Sequence, residues 1–223
     1  MSIQHHISDE LLLEYAAGTL SEGWSIAVAS HLALCPDCRK RLSIMEAAGG
    51  AALSSIECQE TSLDSAWEVM KRKLADAPQV IAAPPPVRRS ETLSVEIRLP
   101  EPLRSYIGGD LDGLAWKSLG GGAYTLPITT PDKSVKVRLL RIGPGKGVPE
   151  HTHNGRELTL VLKGSYHDGA RHYRVGDIAE ADEDVDHTPV VDMAGECICL
   201  SVTDAPLKFR SWMVRLIQPF LGI

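Results

Sequence analysis

Residues 31–42 read HLALCPDCRKRL, and the reading of this stretch decides the fold of the first third of the chain. His31 precedes Cys35 by four residues, so on a helix the two side chains lie on one face, one above the other. Pro36 belongs in a first helical turn, so a new helix opens at Cys35-Pro-Asp-Cys38 and the corner returns the second sulfur to the same place. A histidine and two cysteines then converge, three of the four donors of a tetrahedral Cys2His2 zinc site. His5 and His6, just ahead of the first helix signal, are the candidates for the fourth. Two rival readings stand beside this one. A redox Cys-x-x-Cys belongs after a strand in a βαβ unit, and no such pattern surrounds this segment. The plainer rival is a capped surface histidine beside two buried cysteines.

Working outward, the signals remain helical. Ser8 with Asp9 and Glu10 caps and starts DELLLEYAAG, which Gly18 stops, and Ser21 caps EGWSIAVASHLALC. PDCRKRLSIMEAAGGAAL forms a third helix, and Thr61 or Ser62 opens a fourth, LDSAWEVMKRKLADA. Between Trp24 and Leu34 the second helix has only Ser25, Ser30 and His31 as polar residues. A helix apolar all round must be covered all round. About 75 residues of short helices can hardly do that alone, so either the rest of the chain or another protein covers it. The excess points to a partner.

The chain changes character after this helical stretch. DAPQVIAAPPPVRRSET carries a triple proline suited to an extended, semi-rigid connection. Beyond it the period becomes two: SVEIRL, SVKVRLLRI, RELTLVLKG, RHYRV and ECICLSV are separated by turns such as GGGA, GPGKG, HDGA and VGD. Many short strands with glycine turns mean a sandwich or barrel.

Charge and composition exclude several classes. The formal net charge is −6, and residues 1–80 hold eleven acids against six lysines and arginines, with no Lys or Arg before Arg39. Direct nucleic-acid binding needs a basic footprint, so it is not expected; a basic protein partner suits the charge better. No segment approaches the roughly 20 apolar residues of a membrane span. MSIQHHISDE lacks the apolar core of a secretion signal, so a cytoplasmic location is expected. Five cysteines there are metal ligands, redox groups or buried small hydrophobes rather than a disulfide framework.

In the β half, GKGVPEHTHNGRELTLVLKG (145–164) places Gly145, His151, His153, Glu157 and Gly164 at the spacing of the first cupin motif, which it resembles without departure. His151 and His153 project from one face of a strand, and Glu157 can return from the next. The partner motif, GDIAEADEDVDHTP, is looser; it carries Gly176 and then His187 as the natural fourth ligand. Three His and one Glu can hold Fe, Mn or Ni with open positions for an oxygenase or isomerase, or close around Zn as a structural or sensory site. No general base or nucleophile stands out beside them. Cys197 and Cys199 face one side of a strand and can be oxidised by a signal or fill the barrel, where free cysteine is at home; packing is favoured. The tail LKFRSWMVRLIQPFLGI has apolar residues at helical spacing with Arg210 and Arg215 between them. Packing against the rest of the protein is its plainer reading, and a membrane surface the alternative.

HHISDELLLEYAAGTLSE followed by SHLALCPDCRKRL resembles the N-terminal half of the ChrR family of zinc-binding anti-sigma factors, and the C-terminal cupin continues the resemblance. The resemblance implies two domains, α + β: a zinc-stapled bundle of about four helices over 1–80, a Pro-rich linker over 81–91, and a cupin barrel with an amphipathic tail over 92–223. It implies zinc on His6, His31, Cys35 and Cys38, with the family pattern alone choosing His6 over His5. It implies a second zinc, or another divalent metal, on His151, His153, Glu157 and His187. The implied partner is an extracytoplasmic-function sigma factor, bound 1:1 and released when the cupin senses singlet oxygen or organic peroxide. The alternative is a metal-dependent cupin dioxygenase or isomerase with an accessory helical domain.

Overall fold

Helix α1 (Asp9–Ala16) starts where its cap is: the Ser8 hydroxyl accepts the backbone N–H of Leu11 at 3.3 Å, with Asp9 and Glu10 in the positive first turn. Helix α2 (Glu22–Leu34) follows Ser21 and stops at Cys35, whose backbone is extended. Helix α3 (Pro36–Ser54) begins at the next residue, so one residue makes the corner read from Cys-Pro-Asp-Cys. Helix α4 (Leu63–Asp76) completes the four predicted helices. This computed structural model describes residues 2–57, 63–76, 99–148, 151–152, 155–182, 188–205 and 208–209. The Pro-rich connection over 81–91 and Cys58 lie outside them, as does most of the amphipathic tail, of which Lys208–Phe209 form a short strand.

A fifth helix, α5 (Glu101–Ile107), was not foreseen, although Pro102 in its first turn and Gly108 at its end are ordinary start and stop residues. Among the described residues eleven strands follow: β1 (Lys117–Gly120), β2 (Ala123–Ile128), β3 (Lys136–Ile142), β4 (His151–Thr152), β5 (Glu157–Lys163), β6 (Ser165–Asp168), β7 (Arg171–Arg174), β8 (Ile178–Ala181), β9 (Val190–Val191), β10 (Cys197–Thr203) and β11 (Lys208–Phe209). They form an antiparallel sheet in the order β1-β2-β3-β10-β5-β8, a three-stranded sheet β7-β6-β9 and the pair β11-β4. Among the described residues this is a sandwich of sheets rather than one closed barrel.

Strand β10 shows how the layers stack, because all seven of its residues are buried. Alternation sends Cys197 and Cys199 with Val161 against Tyr166, Tyr173 and Val191 of the smaller sheet. Ile198, Leu200 and Val202 point the other way, into a core shared with Leu158 and Leu160 of β5, Leu11 and Leu12 of α1, Val28 and Leu32 of α2 and Leu103 of α5. Helices α1, α2 and α5 therefore roof the outer face of the large sheet.

That roof answers the question of α2. It packs on β5, β10 and α5, and its buried residues cover most of its circumference, leaving the stripe of Glu22, Ser25, Ala29 and Ala33. Gly23 is the point of closest approach: a Cβ there would lie 2.3 Å from Val135 Cγ2 and 2.7 Å from Val137 Cγ2. The apolar excess of α2 is thus consumed by the chain's own sheet, and the sequence expectation that it points to a partner is corrected. Met1–Gly49 with Ile97–Ile223 make one compact unit, and Gly50–Glu96 make a second. Among the described residues no helix is long and apolar enough to cross a membrane.

Candidate metal centre

The α2–α3 corner brings four donors together: His6, His31, Cys35 and Cys38 each offer one ligand atom, all within 4.8 Å of one another. His31 and Cys35 come from the last turn of α2 and its end, Cys38 from the first turn of α3, and His6 from the segment ahead of α1. His31 Nε2 lies 3.3 Å from Cys38 Sγ, and His6 Nδ1 lies 3.3 Å from Cys35 Sγ and 3.5 Å from Cys38 Sγ. A tetrahedron with Zn–S and Zn–N bonds of ordinary length has N···S edges of about 3.5 Å. The donors therefore already stand at the corners that such an ion requires, and the cluster can hold a metal such as zinc. His5 is not in the cluster; its ring packs on Tyr173 at 4.2 Å between centroids.

The protonation chemistry suits the same reading. His31, Cys35 and Cys38 are fully buried, while His6 is exposed. Burial pulls the His31 imidazole down to about 4, against the opposing pull of the Gly176 carbonyl, so the ring is neutral and free to ligate at physiological pH. Burial pushes the Cys38 thiol up to about 11, so a cation in the cluster is what would convert it to thiolate.

Around the donors is a second layer that the sequence did not reveal. His31 Nδ1 donates to the Gly176 carbonyl at 2.9 Å, which orients Nε2 toward the sulfurs. Asp177, almost wholly buried, accepts the backbone N–H of Gln4 at 2.7 Å and of His5 at 3.0 Å on Oδ1, and that of Arg174 at 2.8 Å on Oδ2. Glu180 accepts Ser8 N–H at 2.7 Å, and Ile178 N–H donates to the His5 carbonyl at 3.2 Å. The segment carrying His6 is therefore laid along the β7–β8 turn and β8. From the other side Arg41 of α3 donates to the Ile7 carbonyl at 2.8 Å, pairs with Asp9 and approaches Cys38 Sγ at 3.8 Å. The VGD stretch reads as a turn and nothing more in sequence, because its partners are some 145 to 173 residues away.

The predicted cupin ligands are less fully placed. Glu157 opens β5 and is buried; its Oε1 accepts Thr159 Oγ1 at 2.7 Å and Ser201 Oγ at 3.3 Å. His151 lies on β4, paired with Phe209 of β11. His153 and His187 lie outside the described residues. On the same inner face Arg138 is buried and donates to Thr203 Oγ1 at 3.0 Å. Burial pulls the Arg138 guanidinium down, and the Glu157 carboxylate opposes this. Cys197 and Cys199 are buried with their sulfurs 3.5 Å apart. The hydrogen bond from Cys197 and burial hold the Cys199 thiol well above its ordinary range.

Comparison with known proteins gives one consistent picture. Residues 105–205 match the ChrR cupin-like domain family. The chain is 43% identical over 226 residues to the anti-sigma-E factor ChrR of Cereibacter sphaeroides, covering all of both chains. A chain in the crystal structure of Rhodobacter sphaeroides SigE in complex with the anti-sigma ChrR superposes with a TM-score of 0.74 at 38% identity, covering 91% of this chain and 99% of that one.

Proposed function

Because the chain belongs to the ChrR family of anti-sigma factors, we propose that it binds an extracytoplasmic-function sigma factor 1:1 and keeps it from RNA polymerase. The observation that carries this reading is similarity over the whole length to a protein solved in complex with its sigma factor. The surface supports it. Ile44 and Leu53 of α3, Ile56, and Trp67, Met70 and Leu74 of α4 are all exposed. On α4 the last three recur at a spacing of three and four, which makes one apolar stripe edged by charge. Exposed apolar stripes of this kind are what helix-in-groove partners bury.

In this proposal residues 1–80 hold the sigma factor, 81–91 are a linker, and 92–223 sense the signal in the cytoplasm. Zinc on His6, His31, Cys35 and Cys38 staples α2, α3 and the N-terminal segment. A second zinc on His151, His153, Glu157 and His187 makes two per chain. Each ion supplies folding free energy on the order of 10 kcal/mol where the site is structural, so oxidising or displacing one ligand is enough to loosen the complex. The signal is an oxidant, singlet oxygen or an organic peroxide. The β7–β8 turn is the route by which a change in the sandwich reaches the staple, since Gly176 and Asp177 hold His31 and the backbone beside His6. Cys197 and Cys199 serve packing in this scheme.

The test is a pull-down from native lysate with the zinc-loaded full chain as bait. Recovery of an extracytoplasmic-function sigma factor at equal stoichiometry, lost after chelation, is the expected result. Failure to recover any such factor with zinc in place overturns the proposal.

A further inference from the structure

The outer face of the small sheet carries a second cluster of metal-ligating side chains. Strands β6 and β7 form a hairpin closed by Gly169 and Ala170, and the left-handed backbone of Gly169 (φ +58°) lets so short a turn close. That turn sets His167 directly opposite His172. On its other edge β6 pairs with β9, and Asp192, the residue after β9, donates its backbone N–H to the Ser165 carbonyl at 3.2 Å. Alternation then sorts the faces: Tyr166, Tyr173 and Val191 point into the core, while His167, His172 and Asp192 share the outside.

The three outer side chains meet at the Asp192 carboxylate. His167 Nε2 lies 3.2 Å from Asp192 Oδ1, and His172 Nε2 lies 2.8 Å from Asp192 Oδ2. The two imidazoles stack nearly parallel, 4.0 Å between centroids and 12° between planes. The donor atoms of all three lie within 4.8 Å of one another. Ser165 Oγ also donates to Asp192 Oδ2, and together with His172 it holds that carboxyl below the usual carboxylate range.

We propose that His167, His172 and Asp192 form an exchangeable site for a divalent first-row transition cation, distinct from both the α2–α3 staple and the cupin ligands. Two imidazoles and one carboxylate are the donor set for ions of zinc's class rather than for Mg²⁺ or Ca²⁺. N···O edges around such an ion are about 3.4 Å, so those edges open by a few tenths of an ångström, and the exposed His167 ring swings out of its stack on His172 so that both Nε2 lone pairs meet at the ion. Each ring shifts to the Nδ1–H tautomer and turns its Nε2 lone pair to the ion in place of an N–H···O bond. Three protein ligands leave the remaining positions to water, because His167 is 54% exposed and the cluster opens to solvent. The site is therefore weaker and faster to exchange than the buried staple.

The experiment uses the full chain, metal-loaded at its tight sites and dialysed, then titrated with ZnCl2 by isothermal calorimetry. One further binding event per chain is expected. His167→Gln and Asp192→Asn each weaken it at least tenfold, while the zinc retained after dialysis and the circular dichroism spectrum stay unchanged. Titration with CoCl2 locates the event independently: the added cobalt gives visible bands without thiolate charge transfer, and both variants lose them. Absence of a further event overturns the proposal. So does an event that persists in both variants, or cobalt bands that carry thiolate charge transfer.

Discussion

Helices α2 and α4 are both rich in apolar residues, and they use them in opposite ways. On α2 the buried residues, among them Trp24, Ile26, Val28 and Leu32, take up most of the circumference, with β5, β10 and α5 as cover. On α4 Trp67 is 58% exposed, Met70 52% and Leu74 64%, although they lie on one stripe. The more apolar helix is thus the one that belongs to the protein's own core. The difference teaches that total apolarity measures how much cover a helix needs, whereas a bare stripe on an otherwise charged helix shows where cover is still missing.

The largest effect should come from the metal proposed to join α2 to α3. Chelation of the loaded protein, or Cys38→Ser, is expected to remove stabilisation on the order of 10 kcal/mol from the staple. The readout is a fall in the thermal midpoint together with loss of the sigma factor, and a complex that survives complete demetallation would break the link between staple and binding. Next in size is the interior of α2. Leu32→Ala, at a residue 6% exposed, is expected to cost about 2–5 kcal/mol in denaturant unfolding while leaving sigma affinity unchanged where the chain is folded. A variant that weakens binding without lowering stability would instead place α2 in the interface. The exposed stripe should behave in the opposite way. Trp67→Ala is expected to change stability by no more than about 0.5 kcal/mol. It is also expected to weaken sigma binding by about 2 kcal/mol or more, roughly thirtyfold, in a surface-immobilised affinity measurement. Unchanged affinity would remove α4 from the partner surface.

What could be read in advance follows the range of the interactions involved. Caps and breakers act within a turn, so Ser8, Pro36 and the ends of α1 to α4 were legible, and so was the convergence of His31, Cys35 and Cys38. Choosing His6 over His5 needed the family pattern; in the fold the choice comes from alternation along a segment that β8 fixes, with His5 turned onto Tyr173. The sequence leaves the cover of α2 open between the rest of the chain and another protein and points to the second, because no local signal says that Val135 and Val137 will meet Gly23. The cluster of His167, His172 and Asp192 depends on register across three strands, with the hairpin turn as its only local trace. The cupin spacing named four ligands, of which Glu157 is placed as a buried carboxylate held by Thr159 and Ser201.

The smallest expected effect tests whether the covered half of the molecule also positions the metal. Asp177 accepts three backbone N–H groups, two of them from Gln4 and His5 beside His6, a donor of the proposed metal centre. In Asp177→Asn one carboxylate oxygen becomes an NH2 that can only donate. The best orientation keeps the oxygen toward Gln4 and His5 and sets the amide against the Arg174 N–H. That loses one hydrogen bond and costs about 1–3 kcal/mol at a buried site. Backbone next to a ligand then moves, and so does the turn whose Gly176 carbonyl orients His31. Partners of this kind tune metal affinity by roughly 10–100-fold when mutated. Asp177 acts one residue removed from His6, so the lower end applies: about tenfold, or 1.4 kcal/mol, in competition with a chromophoric chelator. Glu180→Gln is the matched control, since its amide oxygen still accepts the Ser8 N–H at 2.7 Å. It should leave metal affinity unchanged. Equal affinity in Asp177→Asn and the parent would mean that the staple is built by the helices alone. The sandwich would then cover α2 without influencing the metal, and a signal received there would need another way to reach the partner.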